Sequence, residues 1–195
     1  LLCYLPLFHT FGRYLELLGS VYWRASYVFA GNPSSHTLIN IFPKISPSVF
    51  ISVPVRWVQL YEKCIELTKN ETDDGIIRSK VREVIGSRLH WGLSAAGWLD
   101  PKIFKFFGRM GVNLCSGFGM TEATGGITMT PPGDYVENST GKPLPGVSLD
   151  FGENNELQIS GHYIARYLDE KGPGDLIPFP DKMGGEFKLP TGDIF

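Results

Sequence analysis

The chain has 195 residues, 43% hydrophobic and 19% charged, with a formal net charge of −2. That is enough apolar material for a packed core and argues against disorder. The near-balanced charge and scattered basic residues argue against a nucleic-acid binder, which needs a basic stripe. Cys3, Cys64 and Cys115 lie far apart, as do His9, His36, His90 and His162. No metal-ligand spacing results, and the cysteines read as reduced, buried thiols. Leu1–Leu7 is apolar but too short to span a bilayer and has no basic leader, so a cytoplasmic location is expected. The first residue is not Met and the last follows closely on Thr191-Gly192-Asp193, so both ends read as cut from a longer protein.

In chain order, Leu1–Leu5 reads as a buried strand. Arg13–Trp23 reads as a helix whose apolar face holds Tyr14, Leu15, Leu17, Leu18, Val21 and Tyr22. Tyr27–Phe29 is a short strand. Ser34 or Ser35 can cap a helix through Ile45, stopped by Pro47. Val49–Val53 is a strand. Val55–Thr68 carries Trp57, Leu60, Tyr61, Cys64 and Leu67 at helical spacing, and a second helix runs near Ile76–Ile85. Leu89–Leu93 is a strand. Asp100-Pro101 is a strong helix start, with a capping carboxylate before a proline at the first helical position. That helix ends at Gly111, and Val112–Cys115 is the next strand. Five strands separated by helices predict an α/β fold, a mostly parallel sheet covered by helices, with ligands beyond the carboxyl ends of its strands. From about Gly141 the texture changes. Val147–Phe151 and Glu156–Ser160 pair as a hairpin around Asn154-Asn155 and begin a β-rich subdomain. The expected division is 1–140 and 141–195.

Three unusual segments fall on the predicted rim: Pro6–Gly12, Ser94-Ala95-Ala96-Gly97 and Ser116–Glu122. The last combines a glycine-flanked ring, a hydroxyl and a carboxylate. Glycines allow close backbone approach to a ligand, the ring offers a flat face, and the carboxylate suits a hard cation such as Mg²⁺. Together they suit a nucleotide with a metal on its phosphates.

In order and rough spacing these segments resemble the motifs of the adenylate-forming enzymes: acyl-CoA synthetases, aryl-CoA ligases, luciferases and peptide-synthetase adenylation domains. Gly117-Phe118-Gly119-Met120-Thr121-Glu122 resembles their aromatic-Gly-x-Thr-Glu motif, and Pro6-Leu7-Phe8-His9 their Pro-x-x-His segment. Ser94–Gly97 resembles the small-residue strand end beside the adenine, and Gly141–Gly146 the linker to the β-subdomain. Glu156–Gly161 with Tyr167-Leu168 resembles the next structural motif, and Thr191-Gly192-Asp193 the ribose-binding one. Ser52-Val53-Pro54 ahead of Trp57 and Tyr61 is most like the long-chain fatty acyl-CoA synthetases. Phe118 stands where Tyr is common, and Pro190 where a basic residue is usual.

The resemblance implies the following roles. Phe118 stacks on adenine, with Ala95, Ala96, Gly97 and Gly119 lining the base pocket. Thr121 bonds the α-phosphate, Glu122 binds Mg²⁺, and Asp193 accepts the ribose hydroxyls. His9 lies near the acyl carboxylate, and Gly117 lines the acyl tunnel. Substrates would be ATP, a fatty acid and CoA. The family's phosphate loop and its catalytic lysine match nothing in this chain, so acyl activation by the chain alone is not expected. Peripheral membrane contact and self-association through uncovered apolar surface are compatible with it. Two other readings stand beside this one: a fatty acyl-AMP ligase loading a carrier protein, and a non-catalytic adenine-nucleotide-binding module.

Overall fold

The computed structural model describes residues 1–31, 34–165 and 188–194. Its centre is a five-stranded sheet. Strands β3 (Val49–Ser52), β4 (Trp91–Ala95) and β5 (Asn113–Phe118) run parallel, and β6 (Thr128–Met129) and β7 (Lys142–Pro143) extend the sheet antiparallel. The register aligns Ser52 with Ser94, Ser94 with Ser116 and Ala95 with Gly117, so the small residues noted in the sequence meet at one rim.

Helices α2 (Ser35–Ile45), α3 (Pro54–Thr68), α4 (Asp74–Ile85) and α5 (Pro101–Arg109) pack on one another, with α3 and α5 against β4 and β5. Their ends are written locally. The Ser34 hydroxyl accepts from Thr37 N, the Asp73 carboxylate from Ile76 N, and the Asp100 carboxylate from Lys102 N. Helix α2 stops at Ser46, which turns left-handed at φ 48° just before Pro47.

The core between these layers is aromatic. Trp57 is fully buried on α3, its ring edge-on to Phe50 at 5.3 Å and to Phe107 at 5.2 Å. Its indole N–H donates to Leu93 O at 3.2 Å, which satisfies the polar tip. Gly92 lies directly beneath, where a Cβ would overlap the indole ring. Gly92→Ala is therefore expected to destabilise the fold by about 1–3 kcal/mol, as overpacking of a filled core does. Urea unfolding of the variant against the parent measures it; equal midpoints would contradict this packing.

Strands β1 (Leu2–Cys3) and β2 (Val28–Phe29) form a separate parallel pair. The sequence placed them in one sheet with the others and ran the first through Leu5. The strand ends at Cys3 because the next two backbone N–H groups, of Tyr4 and Leu5, are taken by the carboxylate of Glu16. The link to the main sheet is a side-chain bond, Tyr4 Oη to Ser52 Oγ at 2.6 Å.

The helix after β1 also departs from expectation. Phe11–Leu18 is wound as a π-helix and continues as α1 (Gly19–Tyr22). Tyr14, Leu18, Val21 and Tyr22, read as the inward face, are exposed, Tyr22 by 84%. The inward residues are Phe11, Gly12, Glu16, Gly19 and Ser20. Close approach decides this: a Cβ on Gly12 would overlap the carbonyl oxygens of Leu5 and Pro6, so small residues must face the turn.

Beyond β7 the chain forms an antiparallel sheet of β8 (Val147–Phe151), β9 (Glu156–Gly161) and β10 (Leu189–Ile194), in the order β10-β9-β8. A second, smaller core joins Val147, Leu157, Ile159, Ile164 and Leu189 to Ala123 and Ile127, with Phe118 and Met120 packed on its edge. Tyr167-Leu168 lies outside the described residues. No described helix is long and apolar enough to cross a membrane.

Candidate active site

The rim of the parallel strands carries two adjoining cavities. The larger, about 380 Å³, is lined by Ala96 and Gly97 from the end of β4, by Ser116–Gly119 from the end of β5, and by Trp98, Phe104, Tyr135 and Asn138 among others. Its size is that of a small-molecule site. The smaller, about 90 Å³, is lined by His9, Thr10, Phe11, Met120, Thr121 and Gly125. Ala96 and Gly119 border both.

Strand β5 continues through Phe118, further than the sequence suggested, because Gly117 and Phe118 pair with Met129 and Thr128 of β6. Phe118 thus sits on a strand, not on a free loop. Phe118 lines the larger cavity and packs on the second core. The chain then turns. Thr121–Ala123 forms a single 3₁₀ turn, Thr124 is left-handed at φ 52°, and Gly125 N donates to Met120 O at 3.0 Å. Ala123 and Ile127 are buried in the second core and anchor the turn from below. Thr121 is left exposed and Glu122 half-buried. Glu122 O accepts from Ala165 N, a further tie to the β-rich part.

On the facing side, Ala96 adopts φ 63° and Gly97 φ 153°, so the chain folds sharply back at the end of β4. A left-handed Ala is uncommon and costs on the order of 1 kcal/mol or more, which is typical where backbone is shaped for a ligand. Ala95 is buried at the base of this turn, and the Ser94 hydroxyl beside it has no hydrogen-bond partner among the described residues.

His9 is exposed, and its Nδ1 accepts from Phe11 N at 3.2 Å. That bond assigns the ring proton to Nε2, the nitrogen left for a ligand. The rim therefore brings together Ala96, Gly97, Gly117, Phe118 and Gly119 at one cavity, and His9, Ala96, Gly119 and Thr121 at the other. Asp193 lines neither. It lies exposed on β10, where its N–H donates to Thr191 Oγ1 while Gly192 N donates to Glu156 Oε1.

Sequence reasoning missed several lining residues. Trp98 is 70% exposed and donates from Nε1 to Asn138 Oδ1 at 3.2 Å across the mouth of the larger cavity. Tyr135 stacks on Phe104 with ring centroids 4.0 Å apart. A tryptophan directly after the small-residue strand end was a local signal; Tyr135 and Asn138 arrive from a distant loop and had none.

Glu16 was missed as well. It is fully buried, and its oxygens accept from Tyr4 N at 3.2 Å and Leu5 N at 3.1 Å. Desolvation outweighs those two bonds and pushes its carboxyl from an ordinary 4.5 up to about 7. A carboxyl with a raised folded-state value binds its proton more tightly in the native state. Its contribution is full below about pH 4.5 and is lost as pH rises through about 7. Urea titrations between those limits should show the parent losing about 3 kcal/mol relative to Glu16→Gln as pH rises. Parallel curves for the two proteins would contradict a buried, titrating Glu16.

Among the described residues no three His, Cys, Asp or Glu side chains cluster as a ready-made metal cage. Glu122 follows Thr121 in sequence and lines neither cavity; its carboxylate is the donor on this turn that suits Mg²⁺, which keeps several waters and takes few protein ligands.

A cavity at the carboxyl rim of a parallel sheet is where α/β folds bind their ligands. The chain belongs to the AMP-binding enzyme family, whose model matches residues 1–162. Among curated relatives it is 29% identical to long-chain-fatty-acid–CoA ligase 5 of Mus musculus, over 98% of this chain and 33% of that protein. It is 24% identical to long-chain-fatty-acid–CoA ligase 6 of Rattus norvegicus, over 95% of this chain and 29% of that protein. Its fold matches the o-succinylbenzoate CoA synthetase of Bacillus subtilis, solved with the acyl-adenylate intermediate, with a TM-score of 0.69 and 18% identity over 98% of this chain and 37% of that one. The chain thus spans about a third of the length of these proteins.

Proposed function

We propose that this chain forms one wall of the active site of an ATP-dependent, AMP-forming acid–thiol ligase that activates a long-chain fatty acid and passes it to CoA. The observation that carries this reading is the meeting of two cavities at Ala96 and Gly119, one aromatic and bordered by Phe118, the other holding His9 and Thr121. A base in the first places its α-phosphate near the second. The long-chain preference takes its support from the curated relatives.

In this reading the adenine lies against Phe118 and the folded-back Ala96-Gly97 backbone. The Thr121 hydroxyl donates to an α-phosphate oxygen, and His9 Nε2–H donates to the carboxylate of the acid. Asp193 takes the ribose hydroxyls from the β-rich side. Gly117 lines the same cavity as Phe118 and is close-packed on its other side, where a Cβ would stand 3.2 Å from both Leu93 Cδ1 and Thr128 O. A carboxylate oxygen of the acid attacks the α-phosphorus, and the bond to the bridging oxygen breaks, releasing pyrophosphate. The CoA thiol then gives up its proton to solvent as its sulfur attacks the acyl carbon, and AMP leaves with the bonding pair. The rim contributes orientation and fixed donors. Mg²⁺ held at Glu122 would supply charge neutralisation for the phosphates.

Among the described residues neither cavity is lined by a Lys or Arg, so in this reading the outer phosphates take cationic groups from beyond those residues. The 195-residue chain alone is therefore expected to form no acyl-CoA, whereas the longer protein that carries it should. The test is ATP–pyrophosphate exchange by the longer protein with a panel of fatty and aryl acids, followed by addition of CoA or a carrier protein. Exchange driven by fatty acids, with acyl-CoA formed on adding CoA, is the expected result. Exchange with aryl acids only, transfer to the carrier only, or no exchange would contradict it.

A further inference from the structure

The turn that presents His9 is held from one side by the helix that follows it. Glu16 takes the Tyr4 and Leu5 N–H groups at the turn's entry. Gly12 lets the helix backbone close onto the Leu5 and Pro6 carbonyls. Arg13 Nε donates to Leu7 O at 3.0 Å, and His9 N donates to Pro6 O at 3.0 Å. The imidazole itself is pinned by Phe11 N and lies edge-on to the Phe11 ring. Glu16 is the group that packing alone does not explain. Its neighbours in sequence are Leu15, Leu17 and Leu18, and a leucine would fill a buried site without the cost of a desolvated carboxyl. What leucine could not do is accept from two successive backbone N–H groups. The π-winding of Phe11–Leu18 is the local adjustment that accompanies this bond pair, and such winding is often found at functional sites.

We propose that Glu16 is the positioning residue of the candidate active site: by holding the Tyr4 and Leu5 N–H groups it fixes the Pro6–Phe11 turn and thereby the orientation of the His9 imidazole beside Thr121. Its kinetic consequence rests on the reading of that cavity as the acid-binding end of the site; its structural consequence does not.

The experiment uses the longer protein, labelled with ¹⁵N-histidine, as parent and Glu16→Gln. Gln keeps one acceptor but turns an NH₂ toward the second backbone N–H. Long-range ¹H–¹⁵N spectra should show His9 of the parent protonated on Nε2 and His9 of Glu16→Gln in mixed tautomers. In ATP–pyrophosphate exchange, kcat/KM for the acid should fall on the order of 10²-fold while KM for ATP stays within about twofold, the pattern of a misplaced group at one substrate only. A folded Glu16→Gln with the parent's His9 spectrum overturns the proposal. Should Glu16→Gln fail to fold, Glu16→Asp, which keeps the carboxyl group one methylene short, is read in the same way and decides by the same two outcomes. A changed His9 spectrum with unchanged exchange upholds Glu16 as the holder of the turn and overturns the role given to His9 in the reaction.

Discussion

Replacing Glu122 with Gln in the longer protein is expected to slow acyl-adenylate formation by about 10²–10³-fold, the loss usual when one preorganised charge-stabilising group is removed. The turn that carries Glu122 is anchored by buried Ala123 and Ile127 and by the bond from Ala165 N to Glu122 O, none of which involves the carboxylate. Gln preserves the side chain's shape and removes its charge. ATP–pyrophosphate exchange and a melting curve on the same sample separate a loss of catalysis from a loss of fold. Exchange at the parent rate in a folded variant would remove Glu122 from the metal-phosphate role.

The second large effect is expected at Gly119, for a steric reason. A Cβ at this position would overlap the carbonyl oxygen of Gly125 across the turn, a contact with backbone that no rotamer relieves. Gly119→Ala must push the strand end and the Thr121 turn apart. Gly119 borders both cavities, so Phe118 and Thr121 lose their common frame. A displacement near 1 Å at reacting groups costs about 10²-fold in rate, and the variant should lose at least that in kcat/KM. The contrast is Gly97→Ala, where the nearest atom to a new Cβ is Pro54 Cγ at 3.4 Å; strain there comes from φ 153° instead of from a clash. Equal kinetics for Gly119→Ala and the parent would mean the turn is not the rigid element described here.

Local chemistry explains which parts of this fold were legible in the sequence. Helices α2 and α5 announce themselves by caps, Ser34 and Asp100-Pro101, which act within one turn, while α3 was legible from apolar spacing and α4 only roughly, its start at Asp74 lying two residues before the expected one. The motif segments were legible for a similar reason: glycines and a lone hydroxyl–carboxylate pair stand out against apolar strands. What was not legible depends on contacts across the chain. The end of β1 at Cys3 is set by Glu16, which reaches back over more than ten residues to Tyr4 and Leu5, and the inward face of the following helix by Gly12 closing on the Leu5 and Pro6 carbonyls. Apolar periodicity pointed the opposite way there because Gly12, Gly19 and Ser20 are chosen for close approach, not for hydrophobicity. The extension of β5 through Phe118 needed its partner β6, which has only Thr128 and Met129 and no strand signal of its own. Phe118 lies at the rim, and its packing on the small β-rich core comes from residues well downstream.

The central claim is that the cavity bordered by Phe118, Ala96 and Gly97 receives the adenine of an acyl-adenylate whose phosphate reaches Thr121. The most direct measurement is a crystal structure of the longer protein with a non-hydrolysable fatty acyl-adenylate analogue. The account predicts the purine against the Phe118 ring and the Ala96-Gly97 turn, the phosphate within hydrogen-bond reach of Thr121 Oγ1, and the acyl carbonyl beside His9. A purine bound elsewhere, with the Phe118 cavity filled by the acyl chain or left to solvent, would contradict it.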